Sequence, residues 1–160
     1  PPIRVMGTGG IDFWKDGRET YDNVHIIYEY PSGVKAIFTS LTTNALGDYQ
    51  IKVLGNKGTI TLDYFKAWFY PENNKTSEKG IVDGVSGASL EWDLGKGYPI
   101  DMEHIDPTLQ AIIDFRESVI NNSKPISNVL TGGQASIMVQ VALDAIESKS
   151  TINWEKSYNL

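Results

Sequence analysis

The sequence has no cysteine among its 160 residues, which excludes a disulfide framework and a thiolate metal site and leaves the redox compartment undetermined. It has only two histidines, and they do not form the H-E-x-x-H spacing that sets two imidazoles on one helix face. It also lacks a basic run, and the net charge of -6 argues against nonspecific binding to nucleic acid, which needs a concentrated cationic face. No uninterrupted apolar stretch approaches the roughly 20 residues that span a bilayer, and no charged-then-apolar leader opens the chain. The expectation is a protein with no membrane and no nucleic-acid partner, cytoplasmic, with a periplasmic location left open. There is no Walker motif, and no G-x-S-x-G elbow for nucleophilic catalysis.

What is present is a run of strands followed by helices. In NVHIIYEY, Val24, Ile26, Tyr28 and Tyr30 share one face while His25, Ile27 and Glu29 share the other. The turn Pro31-Ser32-Gly33 leads to VKAIFTSLT, which completes a hairpin. YQIKVLG and GTITLDYF flank Gly55-Asn56-Lys57-Gly58, residues tolerant of the positive φ of short hairpin turns, and predict a second hairpin. Lys66 to Tyr70 adds a strand, and Arg4 to Met6 and Leu90 to Trp92 are short candidate edges. Between Pro71 and Gly97 the composition turns to Asn, Lys, Ser, Gly and Glu, as in a loop.

Asp106-Pro107 is a helix start, with a capping carboxylate and a proline where no N–H is needed. Leu109, Ile112, Ile113, Val119 and Ile120 follow at helical spacing, and a second helix is predicted from about Thr131 to Ser148, leading into the strand-like TINW. Strands first and helices later predict an α+β fold: a large, mostly antiparallel open sheet with helices packed on one face. Apolar residues on both faces of the central hairpins leave the second face for a partner, and homo-oligomerisation through the sheet is the expectation.

Three groups of residues invite a chemical reading. Gly7-Thr8-Gly9-Gly10 lacks the G-x-G-x-x-G spacing and reads as a sharp turn close to another backbone. The loop DFWKDGRETYD, Asp12 to Asp22, joins an aromatic ring, two cations and several carboxylates around a turn at Asp16-Gly17. Trp14 suits stacking on a sugar face, and Lys15, Arg18 and Asp22 suit hydrogen bonds to hydroxyls or a carboxylate; the same residues also read as a solvated turn whose Arg18 pairs with a neighbour. Asp101, Glu103, His104 and Asp106 lie within six residues, a density that serves a hard metal or, more simply, the dipole of the helix that follows. His25, inside a strand, reads as structural.

The ordered set GTGGIDFWKDGRETYDN, YEYPSGV, a serine-bearing strand, VLGNKGTITL and HIDPTLQAIIDFRESV resembles the C-terminal domain of the glucose-fructose oxidoreductase, inositol dehydrogenase and rhizopine catabolism family, Gfo/Idh/MocA. The resemblance covers nearly the whole chain. It implies that residues 1–160 are a substrate and oligomerisation domain whose N-terminal Rossmann partner, binding NAD or NADP, lies outside this sequence. It implies a parent oxidoreductase acting on a sugar, cyclitol or related polyol, with Trp14, Lys15, Arg18 and Asp22 on the substrate side. The family's glycine fingerprint, its Glu-Lys-Pro lysine and its Asp-x-x-x-His pair have no match here, so no catalytic, cofactor-binding or metal residue is assigned, and the chain alone is expected to be inactive and to bind no cofactor. An NAD-using glycoside hydrolase of the same family and a noncatalytic sugar-binding or assembly module are the alternatives; a metal-dependent hydrolase built on Asp101, Glu103 and His104 is a more distant one.

Overall fold

A computed structural model describes residues 1–44, 49–72, 97–102 and 105–160. They fall into two compact units, residues 1–47 with 108–160 and residues 48–107. The architecture is α+β and antiparallel, as the order of elements predicts, with the strands shared between two four-stranded sheets.

In the first unit, β1 (Arg4–Gly10), β2 (Asn23–Glu29) and β3 (Lys35–Leu41) form a meander, and β8 (Ile152–Asn153) returns from the end of the chain to pair with β1, giving the order β3-β2-β1-β8. The turn between β2 and β3 follows from its residues: Gly33 takes a φ of 83° after donating its N–H to the Tyr30 carbonyl, and Tyr30 N–H then reaches Val34, a type I turn closed by a bulge. The period-two alternation is realised as expected. Ile26 and Tyr28 point into the core with Val5 and meet Val141, Ala142 and Ile146 of the helix α2 (Val129–Ser148). A fully buried aliphatic chain such as Val5 contributes about 1.5–3 kcal/mol. The Tyr28 hydroxyl donates to the Met138 carbonyl at 3.0 Å, so its one polar atom is satisfied in that core.

The helix α2 is bounded by its own chemistry. Asn128 accepts from the N–H groups of Leu130 and Thr131 while Thr131 Oγ1 accepts from Asn128 N–H, a reciprocal capping box. At the other end Lys149 turns left-handed with φ 51°, and Ser150 N–H reaches back to the Ala145 carbonyl. With 20 residues and a most apolar window of mean hydropathy 1.3, α2 has the length and composition of a membrane-crossing helix, a feature that counting only uninterrupted apolar runs does not reveal. Here Val141, Ala142, Ala145 and Ile146 are buried.

The other helix, α1 (Pro107–Ile120), starts at the proline as expected and ends with Asn122 left-handed at φ 49°. It differs from expectation in its packing. None of its residues is buried, and Leu109, Ile112, Val119 and Ile120 are exposed. Periodicity marks a face that wants a partner but carries no information about where that partner is.

In the second unit β4 (Ile51–Gly55), β5 (Gly58–Leu62), β6 (Ala67–Pro71) and β7 (Tyr98–Ile100) are hydrogen-bonded in chain order. In the β4-β5 turn, whose residues Gly55-Asn56-Lys57-Gly58 tolerate positive φ, Gly58 takes it at 158° while Asn56 and Lys57 do not. A Cβ at Gly58 would run into the Phe69 ring on the neighbouring strand. Strand β7 follows directly after the Pro71 to Gly97 stretch and has no counterpart among the expected strands, and the candidate edge Leu90 to Trp92 lies outside the described residues.

Gly7 to Gly10 is not a turn. It is the second half of β1, in register with Ile26, His25, Val24 and Asn23. The expectation of a close backbone holds, since a Cβ at Gly9 would stand 2.7 Å from the Asn23 carbonyl oxygen.

Candidate functional site

The candidate site is the loop between β1 and β2, and Asp22 organises its hydrogen bonds. Asp22 N–H bonds the Gly10 carbonyl at 2.9 Å and its own carbonyl accepts from Thr42 N–H at 3.0 Å, so its backbone is tied to strand ends on both sides. Its side chain turns back under the loop. One carboxylate oxygen accepts from the N–H groups of Phe13 and Trp14, both at 2.9 Å, and the other accepts from Asp12 N–H at 3.2 Å and Asn23 Nδ2 at 2.9 Å. The residue is 1% exposed. The Trp14 N–H above all, then Asn23 and the N–H groups of Phe13 and Asp12, outweigh burial and hold this carboxyl well below the usual carboxylate range.

Beyond that anchor the loop turns at Asp16-Gly17, with Gly17 at φ 87° and Asp16 Oδ1 accepting from Arg18 N–H in a local turn. The Arg18 fork closes on Asp16, Nε to Oδ1 at 2.9 Å and Nη2 to Oδ2 at 2.6 Å. That hydrogen-bonded pairing lowers Asp16 from 3.8 to about 2 and raises Arg18. Arg18 also lies over Trp14, with 5.0 Å from its Cζ to the ring centroid, and Phe13 meets Trp14 edge-on at 5.1 Å. Lys15 Nζ donates to the Ile11 carbonyl at 2.9 Å. Trp14 is 39% exposed, so the loop presents an indole with a cation and a carboxylate beside it, groups that can stack on a C–H face and exchange hydrogen bonds with hydroxyls.

Of the residues singled out in the sequence, Trp14 and Arg18 are therefore brought together on the loop, Lys15 turns to the Ile11 carbonyl, and Asp22 holds the loop's backbone N–H groups. Asp16 and Phe13 join the arrangement without having been singled out; Asp16 was read only as half of a turn. His25 sits on the face of the sheet opposite α2, its Nδ1 3.3 Å from Thr39 Oγ1. Asp101 lines a cleft of about 400 Å³ in the second unit with Phe65, Lys66, Trp68 and Met102. Glu103 and His104 lie outside the described residues, and among the described residues no three metal-ligating side chains come together. Gly7 to Gly10 does not fit a dinucleotide: it is extended strand, not a loop opening a helix.

No protein-family model matches the sequence, and no curated protein matches it. Solved structures do match in fold. An aldose-aldose oxidoreductase from Caulobacter crescentus, complexed with glycerol, superposes with a TM-score of 0.70 at 16% identity over 96% of this chain and 41% of its own. A UDP-N-acetylglucosamine 3-dehydrogenase from Acidithiobacillus ferrooxidans gives 0.66 at 12% identity over 92% of this chain and 40% of its own. An NAD-binding protein from Listeria innocua gives 0.68 at 16% identity, covering 96% and 45%. The chain thus spans less than half the length of each, and its fold is one that occurs within oxidoreductases, some of them sugar-acting.

Proposed function

We propose that the chain is the substrate-binding and oligomerisation part of an oxidoreductase that uses NAD or NADP and acts on a sugar, cyclitol or related polyol. The single observation that carries this reading is the exposed Trp14 with the Arg18–Asp16 pair at its side, an apolar platform flanked by one donor and one acceptor group. The fold shared with an aldose-aldose oxidoreductase and a sugar-nucleotide dehydrogenase supports it. The nucleotide, held by a separate Rossmann domain, would supply the hydride acceptor or donor, and the residues of this chain would bind and orient the hydroxyl-bearing substrate. The chain alone is then inactive. Self-association would use the sheet face opposite α2, where Met6, Ile27 and Ile37 form one cross-strand row and Ile37 is 72% exposed.

Calorimetric titration of this chain, and of its full natural reading frame, with NAD, NADP, D-glucose and myo-inositol tests the reading. Nucleotide binding by the longer protein alone, with polyol binding that Trp14→Ala weakens, is expected. Nucleotide binding by the 160-residue chain itself would overturn the division of labour.

A further inference from the structure

We infer that Asp22 is a positioning residue, a buried carboxylate that sets where Trp14 and Arg18 stand without touching a ligand; the ligand side of this inference rests on the polyol reading above. Among the described residues Asp22 is the only buried polar or charged one. A buried charge is tolerated only when its environment replaces water, and here its hydrogen bonds all come from oriented dipoles: three successive backbone N–H groups and the Asn23 amide. No cation forms an ion pair with it among the described residues.

The identity of those donors gives the arrangement its consequence. They are the amides of Asp12, Phe13 and Trp14, so the carboxylate fixes the backbone from which the indole projects. Past Trp14 the hydrogen bonds of the loop, Lys15 to Ile11 and Arg18 to Asp16, are local and cannot by themselves orient it relative to the sheet, and the core contact of Tyr21 lies beside Asp22. Asp22 can, because its main chain is bonded to Gly10 and Thr42. A loop held in one geometry before binding avoids the ordering cost at binding, which is how a residue without ligand contact raises affinity. With 1% of its surface exposed, Asp22 is unavailable to a substrate hydroxyl.

Asp22→Asn tests this, since an amide keeps the shape but offers one acceptor oxygen and turns a donor toward the N–H groups. By NMR, amide exchange at Asp12, Phe13 and Trp14 should accelerate at least roughly tenfold, the scale of losing hydrogen bonds to a charged group, while Val5 and Ile26 keep their protection. The indole N–H cross-peak of Trp14, assigned with Trp14→Phe, should shift together with the Arg18 Nε–H signal. Unchanged exchange and unchanged signals would overturn the inference, as would protection lost equally across the sheet. If Asp22→Asn does not fold, Asn23→Ala removes a side-chain donor that Asp22 shares with Asp12 and Gly10 and leaves the carboxylate with its three backbone partners; a smaller change at residues 13 and 14, which Asn23 does not itself bond, supports positioning, and none overturns it. In the full-length protein Asp22→Asn should weaken myo-inositol or D-glucose binding roughly tenfold and add nothing in a Trp14→Ala background; an equal further loss in that background would show action independent of Trp14 and overturn the inference. Failure of every variant and the parent to bind either polyol would remove the ligand reading, and the exchange and shift data would still decide the positioning.

Discussion

The guanidinium carbon of Arg18 stands 5.0 Å from the centre of the Trp14 ring while the same guanidinium grips both oxygens of Asp16. The ring therefore does not stand alone: its neighbour is held over it by a third side chain. Arg18→Ala should weaken polyol binding roughly threefold, the scale of a solvent-exposed cation–π contact and its hydrogen bonds, with the unfolding midpoint unchanged. Titration followed by Trp14 fluorescence checks it, and affinity equal to the parent's would remove Arg18 from the site.

Residues 12 to 22 hold two cations against four carboxylates, and one of those cations is already paired with Asp16. A loop with that balance should prefer a neutral polyol to an anionic one. D-glucose should bind more tightly than glucuronate, with the gap narrowing as salt rises because exposed charges are screened. Preference for the sugar acid at low salt would contradict this.

Acid should act on the loop through Asp22. Its folded carboxyl is depressed below the ordinary value of 3.8, so its contribution to stability is complete above that value and is lost as pH falls below it. Protection of the amides at 12–14 should persist to pH 4 and fade beneath it. Urea unfolding of Asp22→Asn should show a shallower loss of stability between pH 4 and 2 than the parent. Parallel curves would mean that Asp22 is not the group titrated.

Lys149 closes α2 in a left-handed conformation, at φ 51°, that suits glycine better. Lys149→Gly should raise stability by about 1 kcal/mol, the strain a side chain carries there, read as a higher urea midpoint at constant slope. Lower stability would place the value of the lysine in its side chain.

Gly58 faces the opposite demand, with the Phe69 ring where a Cβ would go. Gly58→Ala should cost about 1–3 kcal/mol as the ring or strand β6 shifts. Thermal unfolding measures this, and a neutral result would mean that both the Phe69 ring and the Tyr70 carbonyl give way freely.

Much of the fold was legible because the signals were local. The alternation in NVHIIYEY placed Ile26 and Tyr28 in the core, and Asp106-Pro107 placed the start of α1 at Pro107. What was not legible depended on partners distant in sequence. Gly7 to Gly10 looks like a turn until β2 is seen beside it, and the stripe on α1 looks like a packing face whether or not anything lies against it. On the loop, composition alone singles out Trp14, Lys15 and Arg18. It singles out Asp22 too, but the inward direction of Asp22 is set by amides eight to ten residues upstream, which no spacing rule identifies. Asp16 could have been recognised, since an Asp two residues before an Arg across a glycine is a ready local pair.

The short ladder between β1 and β8 has a mechanical consequence. Arg4 pairs with Asn153, Val5 with Ile152, and Trp154 N–H reaches the Ile3 carbonyl, so the entering and leaving ends of the chain meet at the same end of an antiparallel pair. Tension applied through Pro1 and Leu160 would therefore load these bonds one after another, as a zip, rather than all at once in shear. The first unit should yield to such a pull at low force, with β8 peeling away before the β1-β2-β3 meander feels the load.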